Sequence, residues 1–306
     1  MGVLARGAFI TVVFAVGMTL FSRLQQPSAP KAAAFEELRP GVFRHLLDVS
    51  PLPQLFELPV ASWLLRAADQ HSWILVDTGV GQAFQNSLKA ALKTTLSSPQ
   101  DKLKLILLTH GHNDHTQGLA WLLEAYPHAH VAFHKKEARF ITGKGKYAEL
   151  DGEHWSWSLM KHVLSANSSQ PVERCTTLQE TQGDVSSALS AAIPDVSSWL
   201  PPDFLEYVLT PGHAPGHVAF VHKPTSSLLA GDVLVHAPPL FAMCQKKVVG
   251  LQHPPFFLSP QMSVVKESQR QLAARSDIET IFPSHDHAAG VNIRDLRAWI
   301  QRGYTA

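Results

Sequence analysis

Cysteine is almost absent from the chain: Cys175 and Cys244 are the only two in 306 residues, and neither sits in a CxxC or comparable spacing. That excludes a disulfide framework and a thiolate metal site. Two separate thiols and a single disulfide both remain open, because an isolated cysteine behaves mainly as a small apolar residue. An excess of either charge is lacking too. Charged residues make up 17% of the chain and the formal net charge is +1. There is thus no basic footprint of a nucleic-acid binder, and no nucleic-acid partner is expected. Internal repeats are missing, which excludes a repeat array.

Carboxylates are missing from the first 35 positions, which carry Arg6, Arg23 and Lys31 ahead of the first acid, Glu36. Between the arginines runs an apolar stretch from Gly7 to Phe21. It is short for a membrane span, which takes about 20 residues, but it suits the core of a signal peptide or a short signal anchor. The expected location is the secretory pathway or a membrane reached through residues 7–21, with mitochondrial and cytoplasmic locations as alternatives. Ala32-Ala33-Ala34 is a candidate cleavage site, although far from the apolar run, and Pro27 to Pro30 reads as a linker. Residues 1–35 are therefore set apart from a catalytic domain over 36–306.

What is present is 45% hydrophobic residues, enough to bury a large core, arranged in an alternating pattern. Short β-type runs begin at Gly41, Val60 and Ser72. From Gln82 to Leu96 the apolar residues Phe84, Leu88, Ala91 and Leu92 recur at helical spacing. A strand from Lys102 to Thr109, a helix from Thr116 to Tyr126 and a strand from Ala129 follow. Later strands precede Pro211, start at His217, end at Asp232 and end near His285. The class is α/β. Residues 137–204 break the rhythm as a polar, helical-looking insertion with Trp155, Trp157 and Trp199, either a lid or a surface layer whose tryptophans face inward. A proline-rich stretch, HAPPLFAMCQ from His236 and HPPFFLSP from His253, is the other candidate pocket wall.

Each chemical motif sits just past a strand, where loops on a rigid sheet carry active sites. His110, His112, Asp114 and His115 place three imidazoles and one carboxylate within six residues, and His213, Asp232 and His285 follow on later strand ends. His110 and His112 can share one metal with His213, while Asp114 and His115 turn toward a second with His285. Asp232, with two carboxylate oxygens, can bridge both. Nitrogen and oxygen ligands without a thiolate point to two zinc ions, with iron or manganese as alternatives. Two ions roughly 3.5–4 Å apart lower the pKa of a bridging water, so that hydroxide can attack a polarised carbonyl at neutral pH. Asp77, His217 and His287, with Ser284 and Asp286 around His285, are candidates to orient these ligands. The sequon at Asn167 matters only in a secreted chain.

In these motifs the chain resembles the metallo-β-lactamase superfamily, and in particular its lactonase and glyoxalase II-like members. The match runs over about residues 40–300 in motif order and includes Asp77-Thr78-Gly79. The resemblance implies a four-layer αββα sandwich with the metals at one edge, and casts Asp114 and Asp232 as catalytic, Asp114 as the proton shuttle. Zinc β-lactamases with cysteine in place of Asp232 match less well. No positive cluster of the tRNA-processing kind is evident, nor the C-terminal basic pattern that anchors glutathione. The expected reaction is hydrolysis of an ester or lactone of a small, fairly apolar molecule, with thioester hydrolysis as the alternative. From another class, a mono-iron persulfide dioxygenase uses fewer of these ligands. A non-catalytic binding protein would have little reason to keep all seven. Oligomeric state stays open.

Overall fold

A computed structural model describes residues 34–52, 56–160, 175–236 and 250–304. The apolar run 7–21, the linker, the sequon at Asn167, Cys244 and most of the proline-rich stretch lie outside the described residues. Among the described residues no helix is long and apolar enough to cross a membrane.

Strands β1 (Glu36–Arg39), β2 (Val42–Leu52), β3 (Phe56–Arg66), β4 (Ser72–Val76), β5 (Lys102–Leu107), β6 (His130–His134) and β7 (Cys175–Leu178) join in that order into one sheet. A second sheet takes β8 (Gln182–Asp184), β9 (Leu205–Leu209), β10 (Val218–His222), β11 (Ser227–Gly231), β12 (Thr280–Pro283) and β13 (Val291–Asn292). Pairing is antiparallel except from β4 to β7 and between β11 and β12. Parallel neighbours need crossovers, and helices supply them. Helix α1 (Gly81–Thr95) links β4 to β5, α2 (Asn113–Thr116) and α3 (Leu119–Ala125) lie between β5 and β6, and α4 (Met262–Ala274) leads into β12. The last helix is α5 (Ile293–Gln301).

Strands buried on both faces send alternate side chains into different layers. Ile74 and Val76 on β4, with Leu105 and Leu107 on β5, face Val218, Phe220 and Leu229 of the other sheet. Their neighbours Leu75 and Ile106 point the opposite way, onto Phe84 and Leu88 of α1 and Leu119 of α3. On the far side Ala219, Val221 and Leu228 pack against Leu272 of α4 and Leu296 and Trp299 of α5. The order of layers is thus α/β/β/α, as expected. At the seam Trp63 meets Phe282 with ring centroids 5.2 Å apart.

Residues 137–204 differ from the helical insertion anticipated. They carry short helical turns, but also β7, which extends the first sheet, and β8, which pairs with β9 in the second. Three- and four-residue strands of polar sequence leave too little alternation to be recognised. The tryptophans divide: Trp199 lies in the core between the sheets, Trp157 packs on Phe140 and Tyr147, and Trp155 is 51% exposed.

Two histidines far from the strand-end loops make the fold acid-sensitive. Burial pushes His45 down to about 4, against a weaker opposing backbone hydrogen bond, and burial alone does the same to His222. The unfolded chain titrates these groups near pH 6.5, so it binds more protons than the folded one in between. Their stabilisation is complete above pH 6.5 and lost as pH falls through about 4, at most about 3 kcal/mol each. Urea midpoints measured from pH 7 to 4 are expected to fall, and His45→Gln with His222→Gln should flatten the profile. An unchanged slope in the double variant would reject this cause.

Candidate metal centre

The backbone directions bring five strand ends to one edge. β4 and β5 run parallel, and β9, β11 and β12 share a direction in the second sheet. The residues following these strands are Asp77, then His110 to His115, His213, Asp232 and His285. Two groups result. His110, His112 and His213 form one, and Asp114, His115, Asp232 and His285 the other, each with its ligand-type atoms within 4.8 Å of one another. Asp232 touches both, its Oδ2 lying 3.4 Å from His213 Nε2 and 3.2 Å from His285 Nε2, and its Oδ1 3.3 Å from His115 Nε2.

Four of the five imidazoles are held by their rear nitrogens. His110 Nδ1 lies 3.1 Å from Thr109 Oγ1, and His115 Nδ1 is 2.7 Å from Asp77 Oδ2. His213 Nδ1 is 2.9 Å from Ser259 Oγ, and His285 Nδ1 donates to the Pro59 carbonyl at 2.7 Å. His112 is turned the other way, with Nδ1 3.0 Å from His213 Nε2. Such contacts fix tautomer and ring direction.

Charge is divided between the groups. Burial, then neighbouring imidazoles, holds His110 and His112 well below the usual histidine range, so both stay neutral and able to donate a lone pair. Burial would do the same to His115 and His285, but the carboxylates of Asp232 and Asp114 outweigh it, and His285 rises to about 10. Asp232 and Asp114 are in turn held below the ordinary carboxylate range: burial opposes, and His285 and His115 prevail. Yet His110 Nε2, His115 Nε2 and Asp232 Oδ1 are buried with no hydrogen-bond partner among the described residues. Buried polar atoms are normally satisfied. A convergent set of nitrogen and oxygen donors left open in this way fits divalent cations, and the two groups can hold them.

The supporting residues were partly anticipated. Asp77, at φ +60°, accepts from the Thr109 backbone N–H at 2.8 Å and from its hydroxyl at 2.8 Å, besides holding His115. A non-glycine residue in the left-handed region costs on the order of 1–3 kcal/mol and persists where its surroundings over-determine it. His217 accepts the Asp232 backbone N–H on Nε2 at 2.9 Å and meets Thr210 Oγ1 through Nδ1 at 2.7 Å. Burial drives its pKa to about 3, so it remains neutral. Gly231, just before Asp232, has φ +55°, and an added Cβ would lie 2.5 Å from His217 Nε2. His287 is a correction. It turns outward to Asp48 at 2.6 Å, because two residues after His285 the side chain is already at the surface. Asp286 instead binds His236 Nδ1 at 2.8 Å, and the Ser284 hydroxyl has no hydrogen-bond partner among the described residues.

Four supports were not foreseen: Thr109, Ser259, Glu137 and Tyr147. Thr109 was adjacent to the motif and could have been noticed. Glu137 had no such signal. Fully buried, it accepts from Gly111 N–H at 3.0 Å and from Gly216 N–H at 2.7 Å, tying the loop before His112 to the loop after His213. Tyr147 also hydrogen-bonds Glu137, and its ring lies 4.6 Å from that of His112.

A family model, the metallo-beta-lactamase superfamily, matches residues 55–285. The chain belongs to this superfamily. Among curated relatives, a protein of Bacillus subtilis named probable metallo-hydrolase YybB is 31% identical over 178 residues. That match covers 58% of this chain and 63% of the relative. A Claviceps purpurea protein named atrochrysone carboxyl ACP thioesterase is 32% identical over 133 residues, 44% of this chain and 39% of that one. Among solved structures, a metallo-beta-lactamase family protein from Thermus thermophilus, TTHA1429, superposes with a TM-score of 0.59 at 23% identity. The superposition covers 88% of this chain and 79% of that one, a likeness of fold.

Asp77 makes the first test of the superfamily site. Asp77→Asn keeps the shape but places an amide against His115 Nδ1 and the Thr109 N–H, so metal affinity is expected to fall by about 10–100-fold. Competition with a chelating dye measures it, and unchanged affinity would remove Asp77 from the site.

Proposed function

We propose that the chain is a two-metal hydrolase of carbonyl esters and lactones of small, fairly apolar molecules. The observation that carries this reading is Asp232, whose carboxylate reaches His213 in one group and His115 and His285 in the other. When bound, two zinc ions would supply Lewis acidity and a water of lowered pKa. The chain's own part is orientation and proton transfer. Side-chain exposure separates the two carboxylates: 26% for Asp114 against 7% for Asp232. In this reading Asp114, the more exposed of the two, takes a proton from attacking water and passes it to the leaving oxygen, while Asp232 stays inside as the link.

Thioester hydrolysis is the second reading, favoured by the Claviceps relative that is named a thioesterase. The full chain, loaded with zinc, should be offered homoserine lactones, aryl esters, a glutathione thioester and a chromogenic β-lactam. Turnover of lactones or aryl esters, with about two metal ions per chain by mass spectrometry, is expected. Turnover of the thioester alone would move the assignment to the second reading. One iron per chain with persulfide oxidation would replace both by the dioxygenase.

A further inference from the structure

A cleft of about 580 Å³ lies over the segment that follows β6. Lys135, Lys136, Arg139 and Lys144 line it, and no carboxylate does. With Lys146, five of the chain's 26 basic residues fall between positions 135 and 146, in a chain whose net charge is only +1. The one acid in that stretch, Glu137, is buried and turned inward onto Gly111 and Gly216. Arg139 is shared with Glu149 at 3.6 Å, both side chains half-exposed. Lys135, Lys136 and Lys144 are exposed and make no ion pair among the described residues.

Like charges gathered in a concave site focus a positive potential and raise the local concentration of an anion. The cleft also has an apolar part, formed by Phe140, Leu150 and Pro215. Phe140 stacks on Tyr147 at 4.1 Å between ring centroids, and the Tyr147 ring lies 4.6 Å from that of His112, so two aromatic rings connect the cleft to the metal centre. A neutral lactone would make no use of such charge. A substrate with a phosphate-bearing handle would.

We infer that this cleft takes the phosphates of a pantetheine-type carrier, and that the chain hydrolyses acyl thioesters of coenzyme A. The inference rests on the thioester form of the reading above. Water adds to the acyl carbon, the carbon–sulfur bond breaks, and the acyl group leaves as the acid while Asp114 returns the proton to the thiolate sulfur. No oxidant or second substrate is needed. A compact polyphosphate suits a concave cleft better than an acidic carrier protein, which requires a broad contact of about 800 Å² per partner.

The test compares one acyl group on coenzyme A, on N-acetylcysteamine and on an acyl carrier protein, using the full zinc-loaded chain and K135E/K136E/K144E. For the wild type, kcat/KM on the coenzyme A thioester should exceed that on the N-acetylcysteamine thioester by about tenfold or more, and added salt should shrink the gap. The triple variant should lose that gap through KM, keep its rate on the neutral thioester, and lose binding of 3′,5′-ADP alone. Equal kcat/KM on both small thioesters, a gap that survives charge reversal, or a preference confined to the carrier protein would overturn the inference. So would turnover of aryl esters without thioesters, which leaves the hydrolase reading standing. No turnover of any ester, lactone or thioester would remove that reading as well.

Discussion

Asp232→Ala is expected to lower hydrolysis on the order of a thousandfold or more and to leave the protein unable to retain its full metal complement after dialysis. Position is the reason. Among the described residues Asp232 is the single carboxylate in contact with imidazoles of both groups, and its removal leaves His285 without its nearest counter-charge and His115 with Asp77 and Asp114 alone. His115 and His285 should then titrate lower, since the Asp232 carboxylate does most to hold them up against burial. His112→Ala should act in the same direction through the other group. Metal content and rate need to be followed together. Full activity in either variant would defeat the two-metal reading, whereas loss of rate with both ions retained would shift Asp232 from ligand to proton handling.

Glu137→Ala is expected to act on stability first. Its carboxylate satisfies two buried backbone donors from loops 105 residues apart in sequence, Gly111 and Gly216, and receives Tyr147 as well. Gly111 N–H keeps the Tyr147 hydroxyl at 3.0 Å, so the backbone donor left unpaired is Gly216 N–H. An unpaired buried donor costs about 1–3 kcal/mol, to which the vacated volume adds. A loss of about 3–5 kcal/mol should be visible in denaturant unfolding. Glu137→Gln keeps one acceptor oxygen and should lose clearly less. Equal losses in the two variants would mean that the acceptor oxygens, and not the side chain's volume, are what Glu137 contributes. Burial raises the pKa of this carboxyl against its hydrogen bonds, so the glutamine also tests whether the protonated form is tolerated.

The seven candidate ligands were legible because the sequence places them within a few residues of strand ends, and strand ends are what alternation and β-branched or leucine-rich runs reveal best. Strands β2 to β6 and β9 to β12 were visible for the same reason, as was α1. The short strands β1, β7, β8 and β13 were not, since two to four residues carry no measurable period. Glu137 was hidden for a different reason. Its partners are 26 and 79 residues away, and a lone acid in a basic run reads as a solvated charge until the chain is folded. The same run looked unremarkable against a net charge of +1, because composition averages away what folding gathers into one cleft. His287 failed the opposite way: sequence adjacency to His285 suggested a role, and the chain's turn toward Asp48 removed it.

The ligands are split across the seam between the sheets. His110, His112, Asp114 and His115 come from the loop after β5, while His213, Asp232 and His285 come from the loops after β9, β11 and β12. Cut in the turn between β7 and β8, the chain would fall into two pieces, each holding an incomplete set. Bound cations would then act as rivets between two plates, and their affinity would be a gauge of how well the plates are aligned. A substitution such as Trp63→Ala, beneath Phe282 in the seam and away from every ligand, should therefore register as leakage of metal.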